Sequence, residues 1–137
     1  MSAGSREVMG FGIDVNSWLS EAKREALAKE CGMFLIHNGV VRKTAKAQVR
    51  EGLDSPCVES MELSYDAGAA ESFRLKTLEM PGIKIVRLLL NEGKLSVGED
   101  IMYVLIGGDT RPHVVDALNF LVGKLKDECV TEKEVYG

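Results

Sequence analysis

The sequence predicts an α+β domain in which antiparallel strands are flanked by helices. Two apolar runs of strand length, 83–90 and 101–106, are joined by the polar segment Asn91 to Asp100, so they form an extended antiparallel pair with an irregular tip. After them Val114, Leu118, Leu121 and Leu125 follow at spacings of four, three and four, the period of a helix with one buried stripe. The resulting order, α-β-β-α-β-β-α, groups strands in adjacent pairs and argues against a doubly wound sheet. At 137 residues, 45% of them hydrophobic, the chain can bury about two thirds of its unfolded surface in one core, so residues 1–137 are read as a single domain.

The elements follow in order. Asn16 or Ser17 caps a first helix running to about Cys31, with Leu19, Ala22, Ala26 and Leu27 near one face, Trp18 anchoring its first turn and Gly32 as a left-handed stop. Met33 to Arg42 is β-rich and too short for a buried helix with Gly39 inside it, hence a strand with a bulge at that glycine. A loop follows in which Arg42, Lys43, Lys46 and Arg50 meet no acid, whereas Glu51 to Asp66 carries five acids and no base. That basic loop is expected to order over an anionic substrate or partner tail. Met61, Leu63 and Tyr65 alternate with Glu62 and Ser64 as in a half-exposed strand, and Ala67 to Leu78 has helical composition ended by Pro81-Gly82. Beyond the two apolar strands, Gly107-Gly108 hands the chain to a last helix capped by Asp109 or Thr110, which tolerates Pro112 in its first turn. At least four strands therefore form a β-layer, and the residues between Lys126 and Lys133 alternate like one more.

Composition removes several functions. A net charge of −4 disfavours electrostatic nucleic-acid binding. Cys31, Cys57 and Cys129 are odd in number and form no CxxC pair, which argues against a disulfide framework and a Cys-rich zinc site and fits a reducing, cytoplasmic setting. No stretch approaches the roughly 18 uninterrupted apolar residues of a spanning helix. His37 and His113 lack further metal ligands at the usual spacings, and no nucleophile-elbow, Walker or kinase motif occurs. Gly107 to Arg111, at a strand-to-helix junction, suits an anion, although two glycines serve many tight turns and Asp109 would oppose one. Lys126 and Lys133, taken alone, are a terminal-turn lysine and a surface lysine.

A resemblance changes that weighting. Gly93-Lys94-Leu95-Ser96-Val97-Gly98-Glu99-Asp100, then Ile101-Met102-Tyr103-Val104, then Arg111, Lys126 and Lys133, resembles the catalytic (large) subunit of molybdopterin synthase. Gly39-Val40-Val41-Arg42 is similar to that family's Gly-x-Val-Arg strand end. The match spans roughly residues 33–135, needs no gap from Gly93 to Lys133, and is most specific in the spacing of the arginine and the two lysines. The chain departs from the family's pattern at Thr110 and Leu90-Asn91, where the family has a histidine and His-Arg, at Glu132, where it has an aromatic, and at His37, where it has phenylalanine.

The resemblance implies an α/β hammerhead-type fold and a sulfurtransferase without cofactor or metal. Sulfur would pass from the C-terminal Gly-Gly thiocarboxylate of a small ubiquitin-like sulfur-carrier subunit to cyclic pyranopterin monophosphate, forming molybdopterin. Arg42 and Arg111 would hold the substrate's phosphate or pterin, while Lys126 and Lys133 would be the catalytic pair at the thiocarboxylate. Large subunits of this family pair, which implies a homodimer. A non-catalytic module of the same fold that binds the pterin or the carrier tail is the alternative, and an unrelated α+β interaction domain is a third reading. The helix also separates Arg111 from Lys126 by fifteen residues, about 22 Å at 1.5 Å per residue. If both serve one reaction, Arg111 must reach the Lys126 of a neighbouring subunit.

Overall fold

A computed structural model describes residues 11–44 and 57–136. Its α-helices are α1 (Val15–Lys23), α2 (Ala67–Leu78) and α3 (Arg111–Lys124), with a 3-10 turn at Ala26–Glu30 and a π turn at Leu125–Cys129. The strands are β1 (Met33–Val40), β2 (Val58–Tyr65), β3 (Ile83–Leu90), β4 (Gly93–Ser96), β5 (Asp100–Gly108) and β6 (Val130–Tyr136). All strand pairs are antiparallel, and the class is α+β as expected.

The single β-layer is corrected to two sheets, ordered β1-β5-β3 and β4-β2-β6. The division arises at the tip between β3 and β5, where Gly93–Ser96 leaves the hairpin and pairs with β2, placing Leu95 opposite Met61. Both of those side chains are buried in the main core.

β5 is the centre of the first sheet, and every residue from Ile101 to Gly108 is buried because both faces are covered. One face carries Met102, Val104 and Ile106 against Val114, Ala117, Leu121 and Leu125 of α3 and its continuation. The other carries Leu105, with Ile85, Phe34 and Ile36, against Trp18, Leu19 and Ala22 of α1. A strand buried on both sides reads as a continuous apolar run, as this one does. Leu121 has no exposed surface. Leu121→Ala should therefore lower unfolding free energy by about 2–5 kcal/mol, the range for removing a leucine from a packed core, as read by urea denaturation.

Several local expectations are corrected. The first helix ends at Lys23 rather than Cys31, and its N-cap is Asp14, whose carboxylate accepts from the amides of Asn16 and Ser17. Glu25 is extended at that break, and Arg87 of β3 pairs there with Glu21 and Glu25, at 3.4 and 2.7 Å. Gly32 is not left-handed; its amide donates to the Gly108 carbonyl, and a Cβ there would strike the backbone of Asp109. Gly107 and Gly108 close β5 and are needed for packing, the structural reading of the two glycines: side chains there would collide with Phe34 and Val114. The bulge expected at Gly39 is present as a register shift between Gly39 and Val40. Residues 45–56, which hold most of the basic loop, lie outside the described residues.

Candidate functional site

α3 decides where the predicted residues stand. Arg111 is its first residue, and Lys126 lies in the π turn that continues it. Both are exposed. Because α3 runs back along β5, its 14 residues, about 21 Å at 1.5 Å per residue, return the chain to the level of the early residues of β5. Gly39 and His37 of β1 pair there with Met102 and Val104. Arg42 follows β1 at this same end of the first sheet, exposed, its Nε donating to the Thr44 carbonyl at 3.0 Å. Lys126 and Arg42 thus share one end of the sheet, and Arg111 stands at the other.

Lys133 is placed differently. It lies in β6 opposite Glu62 of β2, and Glu62 lies opposite Lys94 of β4. Lys94, Glu62 and Lys133 are all exposed, so the register forms a Lys-Glu-Lys row on the outer face of the second sheet. Opposite charges across antiparallel strands support each other modestly.

His37, noted in the sequence only for lacking further metal ligands and for standing where the family has phenylalanine, lies at this same end of β1. Its Nε2 is buried with no hydrogen-bond partner among the described residues. Burial pulls its pKa below the usual histidine range, and the Lys126 charge pulls the same way. The shift reaches stability with a definite sign. Above pH of about 6.5 the ring is neutral in both folded and unfolded chains; below it the unfolded chain takes up the proton first, so stability falls on acidification. Urea midpoints should decline between pH 7 and 5, before the carboxylates titrate, and His37→Phe should flatten that decline.

At the Arg111 end, Asp109 Oδ1 accepts from the Thr110 amide and meets His113 Nδ1 at 2.7 Å, which holds its carboxyl below the usual range. Thr110 occupies the N-cap position without a side-chain cap. On the α1 face, Tyr103 donates to Asp100 at 2.6 Å, and burial, with Asp100 adding to it, pushes its hydroxyl up to about 12. Phe11 stacks on Tyr103 at 5.8 Å and Trp18 meets its edge at 6.2 Å, so this cluster secures α1, as Trp18 was expected to do. A cleft of about 460 Å³ between α2 and β3 holds none of the four predicted residues; Arg74 in it is held by Glu71 and the Val86 carbonyl. Burial, and next the charges of Asp66 and Glu128, raise the Cys129 thiol, so it offers no activated nucleophile. Among the described residues no group of three metal-ligating side chains converges, and no helix is long and apolar enough to cross a membrane.

Comparison with known proteins follows the same outline. The chain superimposes on molybdopterin synthase from Staphylococcus aureus with a TM-score of 0.70 at 16% identity, covering 93% of this chain and 88% of that one. A molybdopterin biosynthesis MoaE protein from Burkholderia ambifaria matches with a TM-score of 0.66 at 21% identity, covering 91% and 81%. A protein-protein complex of subunits 1 and 2 of the molybdopterin-converting factor from Helicobacter pylori contains a chain that matches at 0.61 and 15% identity, covering 91% and 84%. At these identities the likeness shows the fold. No curated protein matches the chain. The family model described as MoaE protein matches residues 12–128, most of the chain including α3 and Lys126, and so the chain belongs to the MoaE protein family.

Proposed function

We propose that this protein transfers sulfur from the Gly-Gly thiocarboxylate of a small ubiquitin-like carrier to cyclic pyranopterin monophosphate, forming molybdopterin. Its family places it in molybdenum cofactor biosynthesis. The observation that carries the finer reading is Lys126, an exposed ammonium that α3 and its π turn deliver to the same sheet end as Arg42. There an ammonium can stabilise the oxyanion and leaving carboxylate of a thiocarboxylate donor, while Arg42 and Arg111 offer planar guanidinium forks for phosphate. The sulfur comes from the carrier, which accords with a buried, deactivated Cys129. A cytoplasmic setting and a homodimer with shared sites belong to this reading; the dimer is supported by the helix length between Arg111 and Lys126. The Helicobacter pylori neighbour, a complex of two subunits, supports a small partner subunit.

The reconstitution that tests it mixes the purified protein with a thiocarboxylated carrier and the cyclic pterin precursor and assays molybdopterin. Formation above the carrier-only control is expected. A non-catalytic tail- or pterin-binding module is favoured by one observation, the position of Lys133 in a solvated row of charges. The reconstitution separates the two readings, and Lys133→Ala then tests the place of Lys133 in the site. As a catalytic lysine it should lower single-turnover transfer by about 10²-fold; an unchanged rate would assign Lys133 to the charged row alone.

A further inference from the structure

The imidazole of His37 holds a buried nitrogen, Nε2, that is bonded to nothing among the described residues. A buried ring nitrogen is a costly group to leave unbonded, and a phenylalanine of similar volume would not carry that cost, so His37 offers at this end an acceptor within the field of a nearby donor. Strand alternation turns Met33, Leu35, His37 and Gly39 to one face of β1, and Met33 and Leu35 pack on the core beneath α3. His37 therefore lies below the end of that helix. Gly39 leaves the neighbouring position without a side chain; a Cβ there would stand 3.7 Å from His37 Nε2. Above it, the π turn inserts an extra residue into the helical ladder and re-aims the side chains it carries, Lys126 among them. The charge that acts on the His37 ring is that of Lys126.

We propose that His37 is the positioning residue for Lys126: when a carrier tail enters, Nε2 accepts one N–H of the ammonium and holds it at the end of β1. The inference rests on the reading of Lys126 as the residue that receives the tail. A lysine ammonium has three donors on a flexible four-carbon stem, so one bond to a ring fixed in a strand removes most of its freedom. Two N–H groups remain for the terminal carboxyl. Acceptance requires a neutral ring protonated at Nδ1, and burial together with the Lys126 charge keeps the ring neutral at pH 7.

Single-turnover transfer from a carrier ending in a Gly-Gly thiocarboxylate tests this together with the imidazole ¹⁵N shifts. His37→Phe keeps the ring volume and removes the acceptor. It should slow transfer about tenfold, the order expected for one hydrogen bond to a charged group, with carrier affinity unchanged within about twofold. His37→Gln restores an acceptor and should recover most of the loss. In a Lys126→Ala background His37→Phe should change nothing further. With the carrier bound, Nε2 should show the shift of an unprotonated, hydrogen-bonded nitrogen, displaced in Lys126→Ala; His113→Asn removes the other histidine's signals. A protonated Nε2, wild-type transfer in His37→Phe beside an impaired Lys126→Ala, or an equal loss from His37→Phe with and without Lys126 would overturn the inference and leave Lys126 in its role. Wild-type transfer in Lys126→Ala would overturn that role itself. Should His37→Phe fail to fold, the glutamine variant and the nitrogen shifts decide.

Discussion

Lys126→Ala is expected to lower sulfur transfer by at least about 10²-fold, the loss typical of removing a positioned acid, base or oxyanion donor. The thiocarboxylate tail is an anion, and its conversion to a carboxylate passes through charge on oxygen that an ammonium at contact distance stabilises. The same change should hardly touch the fold. Lys126 is exposed, while its neighbours Leu125 and Cys129 carry the packing of the π turn into the core. Loss of a solvent-facing side chain away from caps and cavities is worth within about 0.5 kcal/mol. Rate and stability are thus expected to separate: single-turnover molybdopterin formation falls while the urea midpoint stays. An undiminished rate in a folded variant would remove Lys126 from the chemistry.

Much of this arrangement is legible in the sequence because it is local. The period of Val114, Leu118, Leu121 and Leu125 fixes α3, and with it the separation of Arg111 from Lys126. The unbroken apolar run at 101–106 marks a strand covered on both faces, and Gly39 in a β-rich segment marks its bulge. What escapes is decided by distant partners. Gly93–Ser96 has one apolar residue, Leu95, too few to announce a strand until Met61 is placed opposite it. The helix break after Lys23 carries no proline or glycine; Arg87, more than sixty residues away, gathers Glu21 and Glu25 there. Gly32, Gly107 and Gly108 read as turn residues, yet backbone and side chains packed against them exclude a Cβ. His37 is the functional counterpart of these cases. A lone strand histidine carries no signal, and only the fold shows its nitrogen buried under the helix that delivers Lys126.

Mixed dimers of Arg111→Ala and Lys126→Ala chains are expected to regain activity that neither parent has. The expectation follows from the rigidity of α3. Its hydrogen-bonded turns run from Arg111 to Lys124 and pass directly into the π turn, so no hinge lets one end fold back on the other. Fifteen residues of helix place the two backbones about 22 Å apart, beyond what two extended side chains can span to grip one pterin phosphate and one tail glycine. In a single subunit Arg111 and Lys126 therefore serve different places. A two-fold axis would relate each Arg111 to the partner's Lys126 twice over, giving two composite sites. In the mixed dimer one composite site loses both residues and the other keeps both. Recovery of up to half of wild-type molybdopterin formation is therefore expected, after correction for the share of mixed dimers in the sample. Two results would refute shared sites: mixed dimers as inactive as their parents, or a strictly monomeric protein with full activity.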